Sequence, residues 1–336
     1  MLEKSSMQWH NLMEIGEKEG WWNKKFGYFP SPPDSRDFPL TSILKEYKKA
    51  PEEVILDSLI RKVLNQGRCG TCVSKTVNAA MSAGAGKDLS SLFNYILCKE
   101  EDGLPNIEGT FPRVSLKIAK NIGSCSESLL PYSKLKECLT FPEITEAMRI
   151  SAGLHKIDYF ARIYSLEEIQ QSLAAKKLVV GGILITDSFL NWDKKGNIPV
   201  PEGRIYGAHA VLATGYRNSR RGLRALNSWG EIWGDNGWFW LDYDFINWKS
   251  DLGFSAWMEG WAVDMNYEIP EKDKLMIVMW VGEKTALVNG KEVKLDVAPK
   301  IENNRTLVPI RFVSENMGYK VDYIHNRKEI RIFSDI

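Results

Sequence analysis

Three short segments of this chain carry residue types that do covalent chemistry. The first is Gln66-Gly67-Arg68-Cys69-Gly70-Thr71-Cys72. The second is Gly207-Ala208-His209-Ala210-Val211, and the third is Asn227-Ser228-Trp229-Gly230. A thiol, an imidazole and an amide are the parts of a hydrolase with a cysteine nucleophile. Cys72 falls in the first turn of a helix expected over 70–84, where unsatisfied backbone N–H groups favour the thiolate. The histidines are His10, His155, His209 and His325, and only His209 has strand-forming and small neighbours that admit a substrate. Asn227, on the adjacent strand, would accept the imidazole N–H, and Trp229 would shield that bond from water. Gln66 would set its side-chain NH2 beside the Cys72 backbone N–H as the second donor to an oxyanion. Gly70, Thr71, Gly207, Ala208 and Trp229 are read as lining the cleft.

The cysteines are Cys69, Cys72, Cys98, Cys125 and Cys138. A Cys69-x-x-Cys72 pair suits zinc or redox chemistry in principle. A four-ligand zinc site needs a second close pair, and the other three cysteines are too dispersed to supply one. No metal or other cofactor is expected.

These side chains need elements to hold them. Apolar residues at helical spacing predict helices over 70–84, 89–97 and 114–122, the last stopped by Gly123. From residue 150 the texture changes. Leu178–Ile185 reads as a buried strand, and Ala208–Gly215, Leu223–Leu226 and Gly237–Leu241 as further strands. A helical half followed by a β half predicts an α+β fold of two lobes with a cleft between them. Residues 1–50 read as an extension: a charged amphipathic helix over 2–19, then Phe29-Pro30-Ser31-Pro32-Pro33-Asp34, which proline keeps out of helix and central strand. That stretch is expected to lie extended on another surface. It would run through the cleft and block it, the plain alternative being a tether.

Residues 268–274 form a polar linker. Beyond it, 275–336 read as a small β-rich module with strands over 275–281, 285–288, 293–297, 319–324 and 329–333. Asn289-Gly290 signals a tight hairpin, and a short helix is expected over 309–317.

The 336 residues are 44% hydrophobic and 26% charged, an ordinary balance for a folded protein. Their 44 basic and 43 acidic side chains leave a net charge of +1, so no electrostatic case arises for nucleic acid or an anionic membrane. No apolar run approaches the ~18 residues of a membrane span. Glu3, Glu14, Glu17 and Glu19 and the lack of an apolar core argue against a secretory signal at the N-terminus. As written, the sequence suits a cytoplasm or a virion.

With these blocks in view, the sequence resembles the papain-like cysteine peptidases. QGRCGTCV, AHAVLATGY (208–216) and NSWGEIWGDNG (227–237) stand where that family has its Cys, His and Asn blocks. The resemblance covers roughly 51–267 and implies a peptide or protein substrate, a Cys72-His209-Asn227 triad with Gln66 in the oxyanion hole, and a thioester acyl-enzyme. Pro51-Glu52 and Asp57 resemble the start of the mature domain, which makes 1–50 a propeptide. It also implies a Cys98–Cys138 disulfide, with the usual partner of Cys69 missing and Cys125 a weak substitute for it; the plain alternative is four reduced thiols in a core. Val73 replaces an aromatic, Ala208 replaces the common Asp, and Glu108-Gly109-Thr110 replaces a C-N-G-G loop. A transpeptidase or ligase of the same fold would share every residue named, and a catalytically silent binding homologue is the other alternative.

Residues 288–323, and Asn304-Arg305-Thr306-Leu307-Val308-Pro309-Ile310-Arg311 most of all, look like the copper amine oxidase N-terminal-like, or stalk, domain of Gram-positive envelope proteins. The likeness implies a bacterial or phage source, a place at the cell envelope or outside the cell, and an attachment or protein-binding role for 275–336. No copper site follows, because His325 stands alone.

Overall fold

Helix α1 (Cys72–Ala85) starts at the residue the chemistry needs and stops at Gly86, which takes the left-handed backbone. The computed structural model describes residues 26–44, 49–251, 255–264, 277–288 and 290–333. The helix expected over 2–19, the linker 268–274 and Asn289 lie outside the described residues. Among those described, contacts divide the chain into two compact units, Met1–Ile144 with Ala152–Tyr267 and Thr145–Ser151 with Glu268–Ile336.

In the first unit, α1 is buried from Cys72 to Ser82. It packs against α2 (Ser91–Glu101) and α3 (Pro112–Asn121). Ser90 caps α2 by accepting from the Phe93 N–H at 3.1 Å. Pro112 opens α3, where its missing donor costs nothing. The Ser115 hydroxyl donates to Asn94 Oδ1 at 2.6 Å and so ties α3 to α2.

The β half is one antiparallel sheet. Its strands are β1 (Glu53–Ile55), β2 (Tyr159–Ile163), β3 (Val179–Thr186), β4 (Ile205–Arg217), β5 (Gly222–Leu226), β6 (Trp238–Asp242) and β7 (Trp257–Asp264). The order is β2-β7-β3-β4-β5-β6, with β1 paired to the far end of β4. The fold is α+β, as expected. Side chains of β3 alternate between two cores. Val179, Ile183 and Ile185 join a cluster with Phe189, Val211 and Phe239, whereas Val180, with Leu178 just ahead of the strand, joins Val77, Met81, Leu116 and Trp261 beneath the helices.

Three strands of this sheet, β1, β2 and β7, were not legible in the sequence, nor were two of the second unit, Lys300–Glu302 and Arg305–Leu307. β7 is the instructive one, because it lies between β2 and β3 in the sheet and is almost wholly buried. Its Glu259 and Gly260 interrupt the apolar pattern that marks such a strand.

The second unit holds a three-stranded sheet of β8 (Ile277–Met279), β9 (Thr285–Val288) and β10 (Lys291–Lys294). Val288 pairs with Lys291, so β9 and β10 are antiparallel neighbours. The return strand begins at Lys291 rather than Val293. Hairpins β11–β12 (Lys300–Glu302, Arg305–Leu307) and β13–β14 (Lys320–Ile324, Glu329–Phe333) and helix α4 (Ile310–Asn316), in chain order between them, complete it. Asn303 and Asn304 both have positive φ and turn the first hairpin.

Candidate active site

Sequence dictates where the thiol goes. Gly70-Thr71 end a loop, Thr71 takes non-helical backbone, and Cys72 is the first residue of α1. Its side chain is wholly buried, packed with Val73, Ala208, Ala210 and Tyr28. Ala208 and Ala210 flank His209 on β4, so the helix start packs against the strand that carries the imidazole. The Thr76 hydroxyl on α1 donates to the Ala210 carbonyl at 3.1 Å and locks that approach.

Strand β5 ends at Leu226, paired with Leu212 of β4, which sets Asn227 near His209. His209 Nε2 lies 2.8 Å from Asn227 Oδ1. That oxygen also accepts from the Ser228 N–H at 2.7 Å. An acceptor at Nε2 places the ring proton there and leaves Nδ1 as the basic nitrogen. Nδ1 is buried and has no hydrogen-bond partner among the described residues. The Trp229 ring covers the imidazole at 4.8 Å between centroids. Trp229 in turn meets Trp233 and Phe189 edge-on.

Gln66 is buried and its side chain is spanned by two contacts. Nε2 donates to the Cys69 carbonyl at 3.0 Å, and Oε1 accepts from the Ser228 hydroxyl at 2.8 Å. The Gln66 N–H also donates to the Ser228 carbonyl at 2.9 Å. Gln66 and Asn227 therefore share one neighbour, Ser228, which the sequence did not single out. Two further residues hold this loop. The Tyr132 hydroxyl lies 2.8 Å from the Gln66 carbonyl and 2.7 Å from the Thr71 hydroxyl. Glu108 Oε2 accepts from the Gly70 N–H at 2.7 Å. Neither has a sequence signal beyond Glu108 standing in the replaced loop.

The sulfur pairing is a correction. Cys69 is joined to Cys138, with Cα atoms 5.1 Å apart, and Cys98 is a free buried thiol. Cys98 sits within α2, where its thiol faces Asn94 Oδ1 and the Ser74 hydroxyl rather than the surface loop that carries Cys138.

A segment of the N-terminal extension lies over the thiol. The Cys72 thiol donates to the Phe26 carbonyl oxygen. The Gly27 carbonyl accepts from the Thr110 N–H at 3.1 Å, and the Phe29 N–H donates to the Thr110 carbonyl at 3.2 Å. Backbones meet so closely here that a Cβ on Gly27, which has φ +74°, would lie 1.9 Å from the Gly70 oxygen. A Cβ on Gly109 would lie 2.8 Å from Gly27.

This cover sets the electrostatics. Burial pushes the Cys72 thiol up to about 12, against the pull of the backbone amides of Ala210, Val73 and Cys72. Burial pushes His209 down to about 4, against the Asn227 contact and the nearby Phe26 backbone. Both groups are neutral in this covered state, so the thiolate expected at the helix start is outweighed by desolvation.

Comparison with known proteins gives the family and the fold. The sequence pattern described as papain family cysteine protease matches residues 53–250. The chain belongs to the papain family of cysteine proteases. An uncharacterized peptidase C1-like protein of Acanthamoeba polyphaga mimivirus is 26% identical over 258 residues, covering 67% of this chain and 83% of the relative. Cysteine proteinase 3 of Entamoeba histolytica is 29% identical over 215 residues, covering 60% and 65%. Among solved structures, xylellain, a cysteine protease from Xylella fastidiosa, has a TM-score of 0.60 at 23% identity, covering 72% of this chain and 97% of that one. A second pattern, the copper amine oxidase N-terminal domain, matches residues 262–332. That stretch holds a single histidine, His325, and no cysteine, so its donor set does not fit a copper centre. Among the described residues no helix is long and apolar enough to cross a membrane.

Proposed function

We propose that this papain-family protease cleaves peptide bonds with Cys72 as nucleophile, His209 as general base and acid, and Asn227 as the group that fixes the imidazole. The observation that carries the reading is His209 Nε2 held 2.8 Å from Asn227 Oδ1 beneath Trp229, with the opposite ring nitrogen left basic.

Nδ1 takes the thiol proton as sulfur attacks the substrate carbonyl carbon. The resulting oxyanion is held by the Cys72 backbone N–H at the helix start and a Gln66 amide N–H. His209 returns its proton to the leaving amine, the C–N bond breaks, and a thioester remains. Water then attacks the thioester, giving its proton to His209, and the C–S bond breaks to restore the thiol. Gly70, Thr71, Gly207, Ala208 and Trp229 flank this path. Boundaries near 50/51 and 267/275 separate extension, peptidase and attachment module. Residues 1–50 act as an inhibitory propeptide, because the Phe26–Phe29 backbone occupies the strand position beside Thr110 that a substrate needs. Residues 275–336 serve attachment at a bacterial envelope or virion.

Cys72→Ala should abolish cleavage of a fluorogenic peptide and labelling by an epoxide thiol trap. Full activity in that variant would overturn the mechanism, and a wild-type protein freed of residues 1–50 that never labels would make it a silent homologue.

A further inference from the structure

The structure assigns Glu259 and Gly182 to a substrate side-chain pocket that selects a phenol, so that this protease prefers tyrosine where the substrate backbone pairs with Thr110. The assignment rests on the peptidase reading and adds the substrate class to it.

The pocket is seen filled. Tyr28 of the N-terminal segment is buried beside Cys72, one residue along from the Gly27 backbone that Thr110 grips. Its hydroxyl donates to Glu259 Oε1 at 2.8 Å. The same oxygen accepts from the Ser31 N–H at 3.0 Å and the Ser31 hydroxyl at 3.3 Å. Every donor given to Oε1 thus belongs to the segment. The other oxygen, Oε2, belongs to the enzyme body: it pairs with Arg162 and accepts from the Trp261 indole N–H at 2.9 Å. When the segment leaves, Glu259, which is 3% exposed, keeps one satisfied oxygen and presents the other to the cleft. A buried carboxylate oxygen left without a donor is costly, and a substrate donor removes that cost.

Shape says which donor. A Cβ on Gly182 would lie 2.1 Å from the Tyr28 Cζ and hydroxyl oxygen, so the absent side chain is the space the ring fills. Gly182 pairs with Glu259 across β3 and β7, which puts the flat wall and the acceptor in one register.

Charge says which donor it is not. Glu259 is already neutralised by Arg162. Arg113 stands near the same indole, its guanidinium carbon 5.4 Å from the Trp261 ring, and its ion-pair partner is Asp37 of the segment, with Nε 2.8 Å from Oδ1. Departure of the segment removes Asp37 and leaves two guanidinium groups against the Trp261 ring, with Glu259 the carboxylate on that ring's N–H. A neutral phenol fits that balance, and an arginine or lysine side chain does not.

The test uses the full chain with a specific protease site inserted between Ala50 and Pro51, folded intact, then cut and freed of residues 1–50. Peptides differing only at one position, as Tyr, Phe, Leu or Arg, are compared by kcat/KM, with epoxide titration counting the live Cys72. Tyrosine should exceed phenylalanine by about tenfold or more, and arginine should fall below both. Glu259→Gln should bring the Tyr-to-Phe ratio toward one, and Gly182→Ala should shift preference toward small side chains. Equal rates for Tyr and Phe, or arginine as the best residue, would overturn the assignment. A second measurement does not depend on catalysis. A peptide of residues 26–37 is titrated calorimetrically into the cut Cys72→Ala protein. Its Tyr28→Phe form should bind about tenfold more weakly and its Tyr28→Arg form more weakly still. Unchanged or tighter binding sinks the pocket even if no peptide is ever cleaved, whereas weaker binding with no cleavage sinks only the peptidase reading.

Discussion

The Cys72 thiol donates its hydrogen bond to the carbonyl oxygen of Phe26. The proton that His209 would take is therefore aimed at the chain's own backbone. The carbonyl presents its oxygen to the sulfur, not its carbon, so this contact is a cover over the nucleophile and not an attack geometry.

Gly27→Ala should loosen that cover. Its Cβ would lie 1.9 Å from the Gly70 oxygen, and φ +74° is strained for any residue with a side chain. The rate of epoxide labelling of Cys72 in the full chain should rise by about tenfold or more. A rate equal to that of the wild type would mean the segment does not gate the thiol.

Acid should also favour opening, through His209. In the covered state burial holds its pKa near 4, against an ordinary 6.5. An uncovered ring binds protons more readily, so between those values the open form takes up a proton that the closed form lacks. This contribution to closure is complete above the ordinary pKa and weakens as pH falls toward the depressed one, at up to about tenfold per pH unit. Hydrogen exchange at residues 26–31, corrected for intrinsic rates, should show faster opening at about pH 5 than at about pH 7.5. Slower opening in acid would contradict the sign.

Asn227→Ala should lower kcat by about 10²-fold with a smaller change in KM, because the ring loses the partner that fixes it at 2.8 Å. Ser228→Ala should do less, since Gln66 keeps its backbone bond to Ser228. Steady-state kinetics on the cut protein separate the two. A Ser228 variant worse than the Asn227 variant would place the orienting role elsewhere.

Disulfide mapping by mass spectrometry should find Cys69 linked to Cys138 and alkylation after unfolding at Cys72, Cys98 and Cys125. Replacing Cys69 and Cys138 by alanine should cost roughly 2–4 kcal/mol in denaturant unfolding. A Cys98–Cys138 peptide would refute the pairing.

Much of the site was legible in local sequence, because local rules set it. Glycines ahead of Cys72 permit the turn that starts α1, small residues beside His209 let the helix approach, and β5 is short enough to deliver Asn227 alongside. What stayed hidden depends on distant chain. Ser228 became Gln66's partner only through the pairing of residues 65–66 with 228–229. Tyr132 reaches the same loop from another part of the helical half.

By itself, the sequence determined the order of the candidate Cys, His and Asn segments, the α+β class and the β-rich C-terminal module, since periodicity, turn residues and motif spacing act over short distances. Only the tertiary structure decided the electrostatic state and the occupant of the cleft. Burial under Phe26–Tyr28 overrides the helix-start preference for a thiolate, because the cost of desolvating a charge exceeds the pull of a few backbone amides. Sulfur pairing was decided there too, since a disulfide forms between cysteines that folding brings within reach, and folding brought Cys69, not Cys98, to Cys138.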